Sequence, residues 1–356
     1  MTSLFEGYHL GGLALPNRIV MAPMTRARVA ADGLPTAATA AYYAQRATAG
    51  LIVSEGVQPN AVGQSNPFTP GLHTAEQVAA WRPVTSAVHA NGGRLFAQLM
   101  HAGRVGHREV AGHHPVGPSA VALRDEVFTG PKGRLPAPVP RALSLREVAG
   151  EVTVFADAAR RAVAAGFDGV ELHGANGYLI QQFLSSNANL RTDAYGGSVS
   201  GRVRFAVEAV EAAADAIGAE RVGIRLSPGG QVWDIVEEDV PELYAALFDA
   251  LAPLGLAYVH VLVTAPEDVL ITLRKSWPTA FIVNPGGQIA PQEGTRAQGE
   301  HWLAQGADLV SYGRAYLANP DLVERFRADL PLRATHRDTW FEGGDTGYLD
   351  YPSYQY

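Results

Sequence analysis

Apolar residues in this chain gather in short, β-branched runs, separated by longer stretches in which apolar and polar positions alternate with a helical period. The short runs are RIVMAP (18–23), LIVSEG (51–56), RLFAQL (94–99) and GVELHG (169–174), followed by RVGIRLS (221–227), YVHVLV (258–263), FIVNPG (281–286) and DLVSYG (308–313). Each is nearly continuous in apolar residues, as parallel strands covered on both faces must be. The stretches between them predict amphipathic helices. In SLREVAGEVTVFADAARRAVAAG (144–166), Ser144 and Glu147 form a capping box and Gly166 supplies the stop. EDVPELYAALFDALAPLG and EGTRAQGEHWLAQG follow the same plan.

Eight strand–helix units predict an α/β protein, a (β/α)8 TIM barrel, with residues 1–356 as a single domain. A doubly wound sheet is the rival, but MTRAR follows the first strand where that fold needs a glycine fingerprint. Ahead of that strand, GG and PN turn signals around short apolar pairs predict a hairpin closing the barrel bottom. Residues 101–143, after the third strand, mix Gly, Pro, His and charge with little periodicity. A loop that long inside a compact domain points to function or to a lid.

Composition narrows the classes. Apolar residues make up 47% of the 356 and charged residues 18%, which suits a compact enzyme rather than a disordered chain. A net charge of −7 argues against any general affinity for nucleic acid or anionic membrane. The absence of cysteine excludes disulfides, thiolate catalysis and Cys-ligated metal centres. MTSLFEGYHLGG lacks the basic and apolar regions of a signal peptide, and no apolar run reaches the ~20 residues of a membrane span, so a cytoplasmic protein is expected.

Barrel enzymes carry their chemistry at the C-terminal ends of the strands. Those ends hold Thr25, Gly56, Gln98 and His101, then His173, Asn176 and Tyr178, then Arg225, Gly286-Gly287 and Gly313-Arg314. Singly, each is most simply structural; gathered at one rim, they point to a site. The glycines after strands seven and eight mark the place where barrels often bind phosphate. Flavin mononucleotide, pyridoxal phosphate and sugar phosphates all fit that much. A Schiff base needs a lysine at a strand end, and Lys132 and Lys275 lie elsewhere. A metal-dependent lyase needs converging acids, and strand alternation does not turn both Glu55 and Glu171 inward with His173. Flavin leads.

LPNRIVMAPMTRAR, LIVSEG, FAQLMHAGR, HGANGYLIQQFLS, the NxRxDxYGGS pattern, GIRLSP, YGRAYLANPDLVER and GYLDYP occur in this order, and with them the chain resembles the old yellow enzyme family. The resemblance runs from residue 3 nearly to the C-terminus. It implies an FMN-dependent ene-reductase that takes hydride from NADPH or NADH and gives it to α,β-unsaturated carbonyl or nitro compounds. By the same resemblance Thr25 would bond the flavin C4 carbonyl, and Pro23, Met24 and Gly56 would pack along the ring. Gln98 and Arg225 would hold the pyrimidine edge, and Gly286, Gly287, Gly313 and Arg314 the phosphate. His173 and Asn176 would bind the acceptor's oxygen, Tyr178 would donate a proton, and Met100 and Tyr348 would line the acceptor pocket. Thr25 matches the threonine-containing subgroup. Such a protein is expected to be a monomer or homodimer acting on small activated alkenes.

His101, Arg104 and the NxRxDxYGGS segment read as loop braces. Two departures stand out: Met100 sits where many relatives have Trp, and Gly201 where many have Asn. The segment from Thr264 to Pro278 matches nothing in the family pattern. Nitrate ester or nitroaromatic reduction on the same site is one alternative. Another, from a different class, is a non-redox phosphate-binding lyase or isomerase using His173 and Tyr178 as acid and base.

Overall fold

The computed structural model describes residues 2–286 and 294–354. Eight parallel strands close into a barrel: Ile19–Met21, Leu51–Val57, Leu95–Leu99, Gly169–Gly174, Val222–Leu226, Tyr258–Leu262, Ala280–Asn284 and Leu309–Tyr312. All eight lie within the runs picked out by apolar continuity or overlap them to within a residue. Closure is made by the last strand, Leu309–Tyr312, pairing in parallel with the first, Ile19–Met21.

The helices form where the sequence pattern puts them. Leu145–Ala164 carries the reciprocal Ser144–Glu147 capping box and buries Val148, Phe155, Ala159 and Ala162 along one face. Its Phe155 meets Phe205 of the neighbouring helix Val199–Ile217 edge-on, with ring centroids 6.3 Å apart. Burying such a ring contributes about 2–3 kcal/mol.

Tyr8–Leu10 and Leu13–Leu15 pair as an antiparallel hairpin. Leu10 and Leu15 pack with Val20, Val53, Phe96 and Ile282 inside the lower barrel, so the hairpin is an apolar plug. Above this layer the interior turns polar. Gln98, Glu171, His173, Arg225, His260 and Ser311 are all buried at or near the upper ends of their strands. Parallel register sets Gln98 beside Glu171, His173 beside Arg225, and Arg225 beside His260. Such groups are tolerated in an interior only when they bond one another or a ligand.

The long segment after the third strand is ordered into short pieces, including a hairpin of Glu126–Phe128 against Arg134–Pro136. Among the described residues, no helix is long and apolar enough to cross a membrane.

Candidate active site

The fourth strand shows how the site is made. All six residues of Gly169–Gly174 are buried, with Glu171 and His173 facing into the barrel and Val170 and Leu172 packed in the outer core. The chain then turns sharply. Asn176 adopts φ 55° and Gly177 φ 78°; a Cβ on Gly177 would lie 2.5 Å from Val232 O. Left-handed backbone suits glycine and is tolerated by asparagine. The turn is pinned by Asn176 N–H donating to Ser227 Oγ at 3.0 Å and Gly177 N–H to Gln181 Oε1 at 2.7 Å. Tyr178 then caps the helix Leu179–Leu184, its ring centroid 5.3 Å from that of His173. One tight turn thus presents the imidazole, the amide and the phenol together.

They open onto a cavity of about 420 Å³ at the C-terminal rim. Pro23, Met24 and Thr25 form one wall, and Gln98 and Arg225 lie in the floor. Gly286, Gly313 and Arg314 line it at strands seven and eight. Gly287 lies outside the described residues. The Arg314 guanidinium lies 5.7 Å from the Trp340 ring and makes no hydrogen bond or ion pair among the described residues. Met100 also lines the cavity.

Electrostatics are set by burial. The Arg225 guanidinium is pushed down to about 10 by loss of solvent; it donates to Asn284 Oδ1 at 3.3 Å, while its buried Nε has no partner among the described residues. Burial, and then the positive charge of Arg225, hold His173 down at about 3, so the ring is neutral. Burial raises the Tyr178 phenol, so it keeps its proton at neutral pH. Asn176 Oδ1 is buried without a partner among the described residues. Below them, Gln98 Nε2 lies 2.8 Å from Glu171 Oε1 and 3.1 Å from His173 Nδ1. Glu55 turns away instead, accepting from the Arg26 and Ala27 amides at 3.1 and 3.4 Å.

Two expected site residues sit elsewhere. A Cβ on Gly56 would lie 2.6 Å from Met100 Cε, so the missing side chain makes room for Met100, which covers Gly56 from the cavity. Tyr348 is buried outside the cavity wall, its ring stacked on Tyr42 at 4.2 Å and 10° with Arg28 4.8 Å above it. Arg26 flanks the same ring at 5.1 Å, so stacking and two guanidiniums hold it there. Trp340 and Phe341, a few residues earlier, reach the cavity in its place.

A second chamber of about 470 Å³ adjoins the first, sharing Thr25, Asn66, Tyr178, Trp233 and Phe341. Val105, Val127 and Phe128 of the long third-strand loop wall it, which places that loop over the site. Trp233 and Asp234 are both left-handed, with φ 54° and 58°. Arg104 holds them by donating to their carbonyls at 3.1 and 2.8 Å, and Arg124 pairs with the Asp234 carboxylate. Arg104 is thus the brace the sequence suggested; His101, buried, accepts from Gly103 N–H at 3.0 Å. Arg191 of the NxRxDxYGGS segment pairs with Asp193 and donates to Pro118 O at 2.9 Å. Trp233 and Asn66 stand in no recognisable motif, and only the folded loops bring them to the cavity; Asn284 reaches it from the end of the seventh strand.

The sequence matches the NADH:flavin oxidoreductase / NADH oxidase family over residues 3–333. It is 38% identical to 12-oxophytodienoate reductase 1 of Oryza sativa subsp. japonica, over 98% of this chain and 92% of the rice protein. It is likewise 38% identical to 12-oxophytodienoate reductase 2 of Arabidopsis thaliana, over 98% and 95% of the two chains. Among solved structures, morphinone reductase in complex with tetrahydroNAD superposes with TM-score 0.94 at 39% identity, covering 100% of this chain and 98% of the other. An old yellow enzyme homologue from Zymomonas mobilis also gives 0.94, at 37% identity and 99% coverage of both.

Proposed function

We propose, for a chain that belongs to the NADH:flavin oxidoreductase / NADH oxidase family of old yellow enzyme relatives, the reduction of α,β-unsaturated carbonyl and nitro compounds. The protein is an NAD(P)H-dependent flavin oxidoreductase with FMN as cofactor and a nicotinamide as reductant. A non-redox lyase or isomerase is thereby set aside.

The residues fit FMN. Arg225 offers a buried cation with an unpartnered Nε, the Pro23–Met24 wall is apolar, and Arg314 is an unpaired cation among the described residues. Arg314, Gly286 and Gly313 would hold the phosphate, and Gln98 and Arg225 the pyrimidine edge. Pro23, Met24 and Thr25 would lie along the ring. When bound, FMN supplies hydride transfer from the nicotinamide to the acceptor's β-carbon.

The observation that carries the proposal is the neutral His173 set beside Asn176 and Tyr178 on one edge of the cavity. An acceptor oxygen that gains negative charge needs fixed donors, and each preorganised donor contributes roughly 3 kcal/mol. His173 Nε2, with Nδ1 engaged by Gln98, can donate without adding charge to the floor. Asn176 does not titrate and serves only as a hydrogen-bond partner. Tyr178, still protonated, supplies the proton to the α-carbon.

The test is Tyr178→Phe, followed in separate half-reactions. Bleaching of the flavin by NADPH or NADH should proceed at the wild-type rate, while reoxidation by an enone slows by about 100-fold. Equal loss in both half-reactions would remove Tyr178 from the proposed role, and a purified protein that binds no FMN would remove the site.

A further inference from the structure

We propose that Glu171, sealed beneath the cavity floor, is a positioning residue that fixes the hydrogen-bond polarity of the site, turning Gln98 Oε1 outward as an acceptor and His173 Nε2–H outward as a donor. The inference rests on the flavin reading above and assigns a role to a group that touches neither cofactor nor acceptor.

An ionised carboxylate can only accept hydrogen bonds. Glu171 is fully buried and meets three donors: Gln98 Nε2 at 2.8 Å, Tyr258 Oη at 3.1 Å and His260 Nδ1 at 2.8 Å. His260 Nε2 in turn lies 2.7 Å from Ser311 Oγ, so the chain of contacts crosses the barrel from strand eight to strand four. Burial opposes the Glu171 charge, but His260, Arg225 and Gln98 outweigh it and hold the carboxyl below its ordinary value. An amide has two faces of nearly equal shape and opposite polarity. Facing Glu171, only the NH2 face of Gln98 is accepted; the reversed amide would set two acceptors against each other inside the protein.

Two consequences follow in the cavity. Gln98 Oε1 has no partner among the described residues and faces the cavity that Gln98 lines, so it presents an acceptor to an imide N–H. The second Gln98 N–H points at His173 Nδ1, 3.1 Å away, which makes Nδ1 the acceptor and leaves the ring proton on Nε2. A single buried anion therefore polarises two site groups in opposite senses. Its charge also stands opposite Arg225, whose strand neighbours that of Glu171. Without it, Arg225 is uncompensated and favours an anionic ring more strongly.

Glu171→Gln keeps the shape and removes both the charge and the acceptor-only constraint. The FMN midpoint potential should rise by at least a tenfold change in the reduction equilibrium, about 30 mV for a two-electron couple. The 15N resonances of His173, assigned by their loss in His173→Asn, should change from a single Nε2–H tautomer to a mixture. The acceptor KM should rise with little change in flavin reduction by NAD(P)H. Glu171→Asp keeps the charge while shortening the reach, so it should mix the tautomer yet leave the potential near wild type. A merely structural role moves neither the potential nor the tautomer. Should neither variant fold, the wild-type 15N spectrum still decides: an Nδ1–H tautomer overturns the proposal, and Nε2–H across pH 5–8 supports it. Wild-type protein that binds FMN and is reduced by NAD(P)H, paired with a Glu171→Gln variant of unchanged potential and tautomer, overturns this inference alone. Wild-type protein that fails to bind FMN overturns the flavin reading beneath it.

Discussion

Acidification should cost this protein stability through His173, and replacing that residue should relieve the cost. An unfolded histidine titrates near 6.5, whereas the folded His173 is held at about 3, by burial first and by Arg225 second. Because the folded value is the lower one, the unfolded chain binds the extra proton throughout the interval between them. Stability is therefore unaffected above about pH 7 and falls as pH drops from ~6.5 toward ~3. At pH 4 the unfolded state has gained roughly 2.5 pH units of protonation, and at 1.36 kcal/mol per unit the loss is about 3 kcal/mol. His101 and His260 are shifted in the same direction by burial and add to the total, but they are present in both proteins. Losing the Gln98 contact gives His173→Asn a pH-independent offset, so the slope carries the information. Urea unfolding at fixed ionic strength should show the variant gaining about 3 kcal/mol on the wild type between pH 7 and pH 4. Parallel stability curves would refute the claim that this imidazole is neutral in the folded protein.

Three further outcomes are expected. Met100→Trp cannot occupy the space over Gly56 that Met100 Cε and Sδ now fill, so the indole should project into the cavity. The kcat/KM for bulky enones should fall about tenfold relative to small ones, and an unchanged ratio would be the contrary result. Phe341→Ala should alter acceptor KM, whereas Tyr348→Phe should leave acceptor kinetics unchanged, since Tyr348 lies outside the cavity wall; the reverse pattern would return Tyr348 to the pocket. Arg314→Ala removes the cation at the strand-eight end that has no ion pair among the described residues, and should weaken FMN about tenfold or more in a fluorescence titration. An unchanged dissociation constant would move the phosphate elsewhere.

Much of the architecture was legible because its causes are local. A parallel strand covered on both faces must be apolar at nearly every position, so eight such runs announce eight strands before any contact is known. The Ser144–Glu147 capping box depends on residues three apart, and it forms as spelled. The cluster of His173, Asn176 and Tyr178 was legible for the same reason, since one turn holds all three. Tyr348 was not. Its motif gives its neighbours in sequence, but the Tyr42 ring and the Arg28 guanidinium that hold it come from a helix and a loop some three hundred residues away. Gly56 differs again: whether a glycine faces a ligand or yields space to Met100 depends on the direction of a side chain from the next strand.

Local patterning along the chain sets the period of the elements, their order, and the chemical types available at each strand end. The tertiary structure decided which of those groups share a hydrogen bond. Glu171 shows the difference most clearly. In sequence it is one acid in an apolar strand, with no spacing that pairs it to Gln98, Tyr258 or His260. Barrel closure and parallel register bring those three side chains onto its two oxygens. Propensity and patterning act over a few residues, whereas the proton on His173 is set by groups on separate strands. Only a closed barrel can make them neighbours.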